Sequence, residues 1–245
     1  TATALIDAAV RARVHYLDVA AEQAVVRDVF ARYRQAEIAV VPAMAFYGGL
    51  ADLLASAAAR DWPVLDEVDV AVALDRWHPT TGTRRTGERN TAPRVVIVDH
   101  ALVPVTSHSR RWSFPEPFGV QEVTTVPLTE VVLIAQHLNV RTMQSYMNLA
   151  PLQDLRDPAT PRPAAVDERG RSAQVFVVDV VVRRGDETRR ATARGQDIYA
   201  ITGPLVVEAA LPLITRPSGA VGARAPGELF DARDFLASLS DLSIT

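Results

Sequence analysis

His15, Tyr16, Asp18 and Glu22 crowd a short stretch behind an apolar run. An imidazole, a phenol and two carboxylates are groups that orient a ligand or move a proton. A second cluster, Phe46, Tyr47 and the paired glycines Gly48 and Gly49, follows another apolar run. Paired glycines let a backbone approach a ligand closely, and a helix start behind them can hold an anion. Each cluster also has a plain reading. Asp18 can cap the helix that follows it, and the glycines can serve a tight strand-to-helix turn.

Other constellations are weaker. Asp99 and His100 could form an acid–base pair, but neighbours on a strand point to opposite faces. The arginine pairs 84–85, 110–111, 183–184 and 189–190 could bind phosphate or carboxylate, or lie solvated at strand and loop ends. The five histidines never fall at H-x-H or H-x-x-x-H spacing, so no metal site is expected. No G-x-G spacing and no G-x-S-x-G elbow occurs. All 26 basic residues are arginine, which removes Schiff-base lysines and a P-loop lysine from these residues.

The elements that must position these groups follow from periodicity. Residues 14–19 and 38–41 are short apolar strands, and 21–35 place Ala21, Val25, Val26, Val29 and Tyr33 at helical spacing. Two apolar strands joined by a helix imply a parallel sheet, with ligands beyond the strands' carboxyl ends at 18–22 and 42–49. A helix is expected over about 50–60. From residue 64 the pattern alternates, giving a strand over 64–77, an exposed polar loop over 78–91 and a hairpin over 94–98 and 102–106. Residues 110–119 mix aromatics with prolines and cannot form a central strand. They suit a packed surface crossing or a substrate-facing loop. Residues 120–126 read as a strand, Thr129 as the N-cap of a helix over 130–138, and 140–149 as a further strand. Residues 156–171 read as a loop, and 173–183 with 187–194 as a hairpin turning at Gly185-Asp186. The tail is helical over about 204–215 and 226–239, with a glycine-rich connection over 217–227.

The fold class expected is therefore α/β: the distal part of a Rossmann-like parallel sheet, plus an α+β second domain with a largely antiparallel sheet. Residues 1–62 and 200–245 would form the first domain, and 63–199 a substrate and dimerisation domain. The 245 residues are 48% hydrophobic and 22% charged, as in ordinary globular proteins, and carry a net charge of −3. That charge makes no electrostatic case for nucleic acid or an anionic membrane. No stretch has the roughly 18 apolar residues of a membrane helix. The absence of cysteine excludes disulfides and thiol catalysis and fits the cytoplasm.

The segment V-H-Y-L-D-V-A-A-E at 14–22 resembles the "HYLD-x-x-G-E" segment of saccharopine dehydrogenase-like NAD(P) oxidoreductases. Pro42, Phe46 and Asp52 are similarly placed to that family's "VP-x-x-G-F-D-x-x-x-x-D" stretch. Ala21, Ala45 and Tyr47 depart from it, standing where the family has glycine, glycine and aspartate. Arg190, Ala191, Ala193, Gly195, Asp197 and Tyr199, with Gly222 and Pro226, match the family's tail. The resemblance implies NAD or NADP as cofactor, held with the help of His15, Tyr16, Asp18, Glu22, Phe46, Tyr47 and Gly48. It names no catalytic residue. It also implies a small-molecule substrate, a homodimer, and about 80 to 100 further residues upstream carrying the glycine fingerprint, the size of the first βαβ units. A rival reading is a catalytically inert binding or dimerisation module of the same fold, which the three departures and the missing fingerprint favour.

Overall fold

The computed structural model describes residues 2–215 and 221–245. It opens with α1 (Ala2–Ala12), β1 (Tyr16–Leu17), α2 (Gln23–Tyr33) and β2 (Ala39–Val41). After a π-type turn at Phe46–Leu50 come α3 (Ala51–Ala59), β3 (Leu65–Leu74), α4 (Thr81–Arg89), β4 (Val95–Val98) and β5 (Ala101–Pro104). Then follow β6 (Ser109–Ser113), β7 (Val120–Thr125), α5 (Thr129–His137), β8 (Val140–Asn148), α6 (Leu149–Arg156), β9 (Val175–Arg184) and β10 (Glu187–Gln196). The tail holds α7 (Thr202–Thr215), β11 (Gly222–Ala223), α8 (Pro226–Leu229), α9 (Ala232–Ser238) and β12 (Ser243–Ile244).

Two sheets result. The small one is parallel, in the order β1-β2-β11, with Tyr16 opposite Val40 and Gly222 opposite Ala39. The large one runs β12-β10-β9-β3-β8-β4-β5, with β7 also on β8 and β6 on β7. It is antiparallel except for β3 beside β8. This is the expected α/β class with a parallel and a largely antiparallel sheet.

Alternation decides what each face of the large sheet does. Val68, Val70, Val72 and Leu74 of β3 and Phe176, Val178, Val180 and Val182 of β9 point to one side. There α3 covers them, buried on nearly every side through Leu53, Leu54, Ala55 and Ala58. Ala39 and Val41 of the small sheet join the same core. The helix grouped in sequence with residues 1–62 thus packs on strands of residues 63–199. On the opposite face, Trp112 and Phe114 cover Ala71, Ala73, Tyr146 and Val177.

Several expected boundaries need correction. The strand over 14–19 shrinks to Tyr16–Leu17, because Arg13 takes a positive φ of 55° and Val14 and Val19 are exposed. The exposed loop over 78–91 contains α4. Its polar composition hid a capped helix: Thr80 Oγ1 accepts the Thr83 amide at 3.1 Å, and the Thr83 and Tyr199 hydroxyls meet at 2.8 Å. Thr129 is not the N-cap of α5; Leu128 takes that place, and Thr129 Oγ1 donates to the Tyr47 carbonyl at 3.0 Å. The single tail helix over 226–239 splits into α8 and α9 at Phe230-Asp231. Extended Asp231 begins a new helix by accepting the Arg233 and Asp234 amides. Asp99 and His100 are not on strands but make the β4–β5 turn, with φ of 48° and 64°. Residues 110–119 hold β6 only as far as Ser113, paired with β7 alone, and both prolines follow it. Of the connection over 217–227, residues 217–220 lie outside the described residues, and the remainder carries β11 and the start of α8.

Candidate functional site

The carboxyl ends of β1 and β2 meet at one side chain. Asp18 Oδ1 accepts the amides of Ala20 at 2.9 Å and Ala43 at 2.8 Å, while Oδ2 accepts the Tyr16 hydroxyl at 3.0 Å. The main chain doubles the joint: the Asp18 amide donates to Val41, and the Met44 amide donates to the Asp18 carbonyl. Asp18 therefore does not cap α2, which starts behind an extended Glu22. It fixes the corner where a parallel sheet presents its ligand edge. Burial first, then the neighbouring Asp18 charge and hydrogen bond, pushes the Tyr16 phenol far above its ordinary value. That phenol stays a hydrogen-bond donor at any physiological pH.

The other members of the first cluster are placed apart. His15 is exposed at the entry to β1, where its Nδ1 accepts the Ala39 amide at 3.0 Å. A ring nitrogen that accepts must be unprotonated, so the proton of the neutral ring sits on Nε2. The Glu22 carboxylate accepts the amide of Ala21 at 3.1 Å and does not reach Asp18.

The second cluster lies directly behind Ala43. Phe46 is buried, edge-to-face with Tyr47 at 4.8 Å and with Phe176 at 4.7 Å. Tyr47 leans on Trp77 with centroids 5.6 Å apart. Gly48 has φ of 117°, and a Cβ there would lie 2.6 Å from Thr129 Oγ1 and 2.8 Å from the Ala43 carbonyl oxygen. Its glycine is required by close packing of the turn. The structure thus gathers Tyr16, Asp18, Phe46, Tyr47 and Gly48 at one sheet end and leaves His15 and Glu22 at its margins.

Beneath Tyr47 is a small pocket of about 10 Å³. Its walls are largely apolar (Phe46, Val70, Val72, Met147), and its polar members are Tyr47, Glu130, Ser145 and Tyr146. The Tyr47 hydroxyl is cut off from solvent and has no hydrogen-bond partner. Burial, then the charges of Tyr199 and Glu130, raises its phenol well above the ordinary range. Glu130 is buried, with Oε1 accepting the Leu128 amide at 2.9 Å. Burial raises its carboxyl; the Ser145 hydroxyl and the Leu128 amide pull it back only in part. From the sequence, Glu130 reads only as a favourable first-turn acid. The available signal was a carboxylate between Thr129 and the apolar run Val131–Ile134, where a helix facing solvent would not place one.

At least one arginine of each pair is engaged by the protein. Arg183 meets Asp69 at 3.1 Å and Glu67 at 2.7 Å, Arg110 meets Asp69 at 3.4 Å, and Arg190 holds Asp179. Arg189 lies over the Trp62 ring at 3.9 Å and reaches Asp61 at 3.0 Å. Arg84 donates to the carbonyls of Leu155, Asp157 and Thr160. Among the described residues no group of three or more His, Asp or Glu side chains could hold a metal ion. Among the described residues no helix is long and apolar enough to cross a membrane.

No family model and no curated protein matches the chain. Solved structures do. The chain is similar to apo histidine-tagged saccharopine dehydrogenase (L-Glu forming) from Saccharomyces cerevisiae, with a TM-score of 0.57 and 12% identity. That match covers 98% of this chain and 81% of the other. It is also similar to a homospermidine synthase from Legionella pneumophila in complex with NAD, with a TM-score of 0.68 and 10% identity, over 99% and 72% of the two chains. At such identities the likeness is one of fold, and it spans both sheets: this chain has a saccharopine dehydrogenase-like fold.

Proposed function

We propose that this chain is the greater part of an NAD(P)-dependent oxidoreductase acting on a small molecule. The observation that carries the reading is the likeness along nearly the whole chain to a saccharopine dehydrogenase and to a homospermidine synthase in complex with NAD. The nucleotide supplies the hydride; the protein supplies orientation and electrostatics. Asp18 is a positioning residue. It holds the β1 and β2 ends in register through Ala20 and Ala43, so that Tyr16 and the partly exposed Tyr47 flank the nicotinamide end. In this reading residues 1–62 and 200–245 form the nucleotide side, residues 63–199 serve substrate and a homodimer, and the cysteine-free chain works in the cytoplasm.

The β1–α2 turn does not fit the diphosphate. It has no glycine, and the Ala20 and Ala21 amides already serve the Asp18 and Glu22 carboxylates. A diphosphate cradle needs free amides, so under this proposal it lies outside that turn. The same observation favours a second reading, an inert binding or dimerisation module. NADPH fluorescence on the full-length protein separates the two. The oxidoreductase reading expects saturable binding, weakened about tenfold by Asp18→Ala, which frees two amides that need an acceptor. A flat titration with a well-folded protein means the inert module.

A further inference from the structure

We infer that α4 is a lid across the ligand edge of the small sheet, latched shut by the Tyr199 hydroxyl. Its composition is the first ground. The nine residues T-G-T-R-R-T-G-E-R contain no hydrophobic side chain, and none of them is buried. Packing of an apolar face, which fixes most helices to a protein, therefore does not hold this one. Nine residues are too few for a helix to persist alone, and three threonines and two glycines weaken it further. Packing does not demand the glycines. A Cβ at Gly87 would meet nothing within 4 Å, and one at Gly82 only Thr80 Oγ1 at 3.6 Å. The segment is thus built to open locally without unfolding the sheets behind it.

Polar contacts alone keep it closed. The Tyr199 hydroxyl accepts Trp77 Nε1 at 2.9 Å and the Thr80 amide at 3.3 Å. Both partners are donors only, so the phenol proton goes to Thr83 Oγ1 at 2.8 Å. Arg84 adds its bonds to the carbonyls at and just past the end of α6. The ties on either side show what the helix spans. Before α4, Trp77 leans on Tyr47, in the second cluster. After it, Asn90, Ala92 and Pro93 line a small pocket with Ala21, Gln23 and Ala24, around the β1–α2 turn. Gln23 then pins Val95: its Oε1 accepts the Val95 amide at 2.7 Å, and its Nε2 donates to the Val95 carbonyl at 3.0 Å. Residues 78–94 are thus fastened at Trp77 and Val95, one beside each cluster, with α4 as the span between them. Release of the Tyr199 latch uncovers the strand ends, and closure shields them from water. That use rests on the oxidoreductase reading, whereas the opening does not.

Hydrogen exchange of the full chain without nucleotide, read by mass spectrometry, tests the latch. Amides of α4 should exchange on the order of a hundredfold faster than those of β3 and β9. Thr83→Val removes one hydrogen bond from the latch and leaves Trp77 on Tyr199, so it should speed α4 exchange about fivefold. Gly87→Ala has room for its Cβ and should slow that exchange about fourfold. Protection of α4 equal to that of β3, or α4 exchange unmoved by Thr83→Val, overturns the proposal. Saturating NADPH then tests the cover. It should slow α4 exchange at least about tenfold, and saturable binding that leaves α4 unchanged also overturns the lid. A flat NADPH titration removes the oxidoreductase reading instead, and the latch still stands or falls on the exchange measured without nucleotide.

Discussion

Asp52 and Glu130 are both withdrawn from solvent, on helices that pack against each other, yet their surroundings differ in kind. Asp52 has both oxygens occupied: Oδ1 meets His137 Nε2 at 2.7 Å, and Oδ2 accepts the Gly227 amide at 2.7 Å. It joins α3, α5 and α8 at one point. Glu130 is held by the Leu128 amide and the Ser145 hydroxyl among apolar side chains, and faces a phenol that lacks a partner. The lesson is that depth does not distinguish a structural acid from a chemical one. The partners do: a buried carboxylate set between a histidine and an amide of other elements holds those elements together, while one set among apolar side chains has its acid form favoured.

The largest effect should come from breaking the completed joint. Asp52→Ala leaves the His137 ring and the Gly227 amide buried without an acceptor, and should cost about 3–5 kcal/mol by urea denaturation. A loss under about 1 kcal/mol would remove Asp52 from the joint. Gly227→Ala comes next. Its Cβ would overlap Ser56 Oγ and lie 2.9 Å from His137 Cε1, so overpacking of about 1–3 kcal/mol is expected. Ser56→Ala in the same chain should recover part of that, and strict additivity would show the two do not touch. Glu130→Gln should be the mildest, within about 1 kcal/mol or stabilising, since a neutral amide keeps an acceptor for Leu128 and removes a buried acid. A cost as large as that of Asp52→Ala would erase the distinction between the two carboxylates.

The parts of this molecule legible in its residues are those governed by periodicity. β3 alternates in its later part and β9 is a near-continuous apolar run, so both were readable as strands, and β10 followed from the hairpin turn at Gly185-Asp186. The parallel start, the β4–β5 hairpin and the corner at residues 18–22 and 42–49 were readable for the same reason. What stayed hidden depends on partners distant in sequence. The helix α4 has no buried residue and is held by Tyr199, more than a hundred positions away, so no local pattern announces it. Thr129 looks like a cap because its hydroxyl's true partner, the Tyr47 carbonyl, comes from another element. Arginine pairs resemble anion sites until folding brings Asp69 and Asp179 under them. Within the candidate site, Tyr16, Asp18 and Tyr47 could be named from position, whereas Glu130 needed the cavity to be seen.

The finest separation of the two carboxylates is by pH. Burial alone would lower the His137 pKa, but the Asp52 charge and hydrogen bond overcome it, and the folded value lies above the ordinary 6.5. Its stabilisation is complete below about pH 6.5 and is lost as pH climbs through the raised folded value. Glu130 has the same sign in a lower window: its folded value is also raised, so its contribution is complete below the ordinary carboxyl range and fades as pH rises through the folded value. Asp167 and Asp241 run the other way. Hydrogen bonds with Arg171 and Arg169 lower them, and their stabilisation is lost on acidification; both pairs lie at the surface within reach of solvent, hence screened and small. Raw stability curves mix these opposing slopes, but difference curves do not. Wild type minus His137→Gln should change only above about pH 6.5, and wild type minus Glu130→Gln should begin to change near the carboxyl range. Denaturation midpoints taken across the pH range would show the two windows, and a single shared window would mean the sites titrate as one.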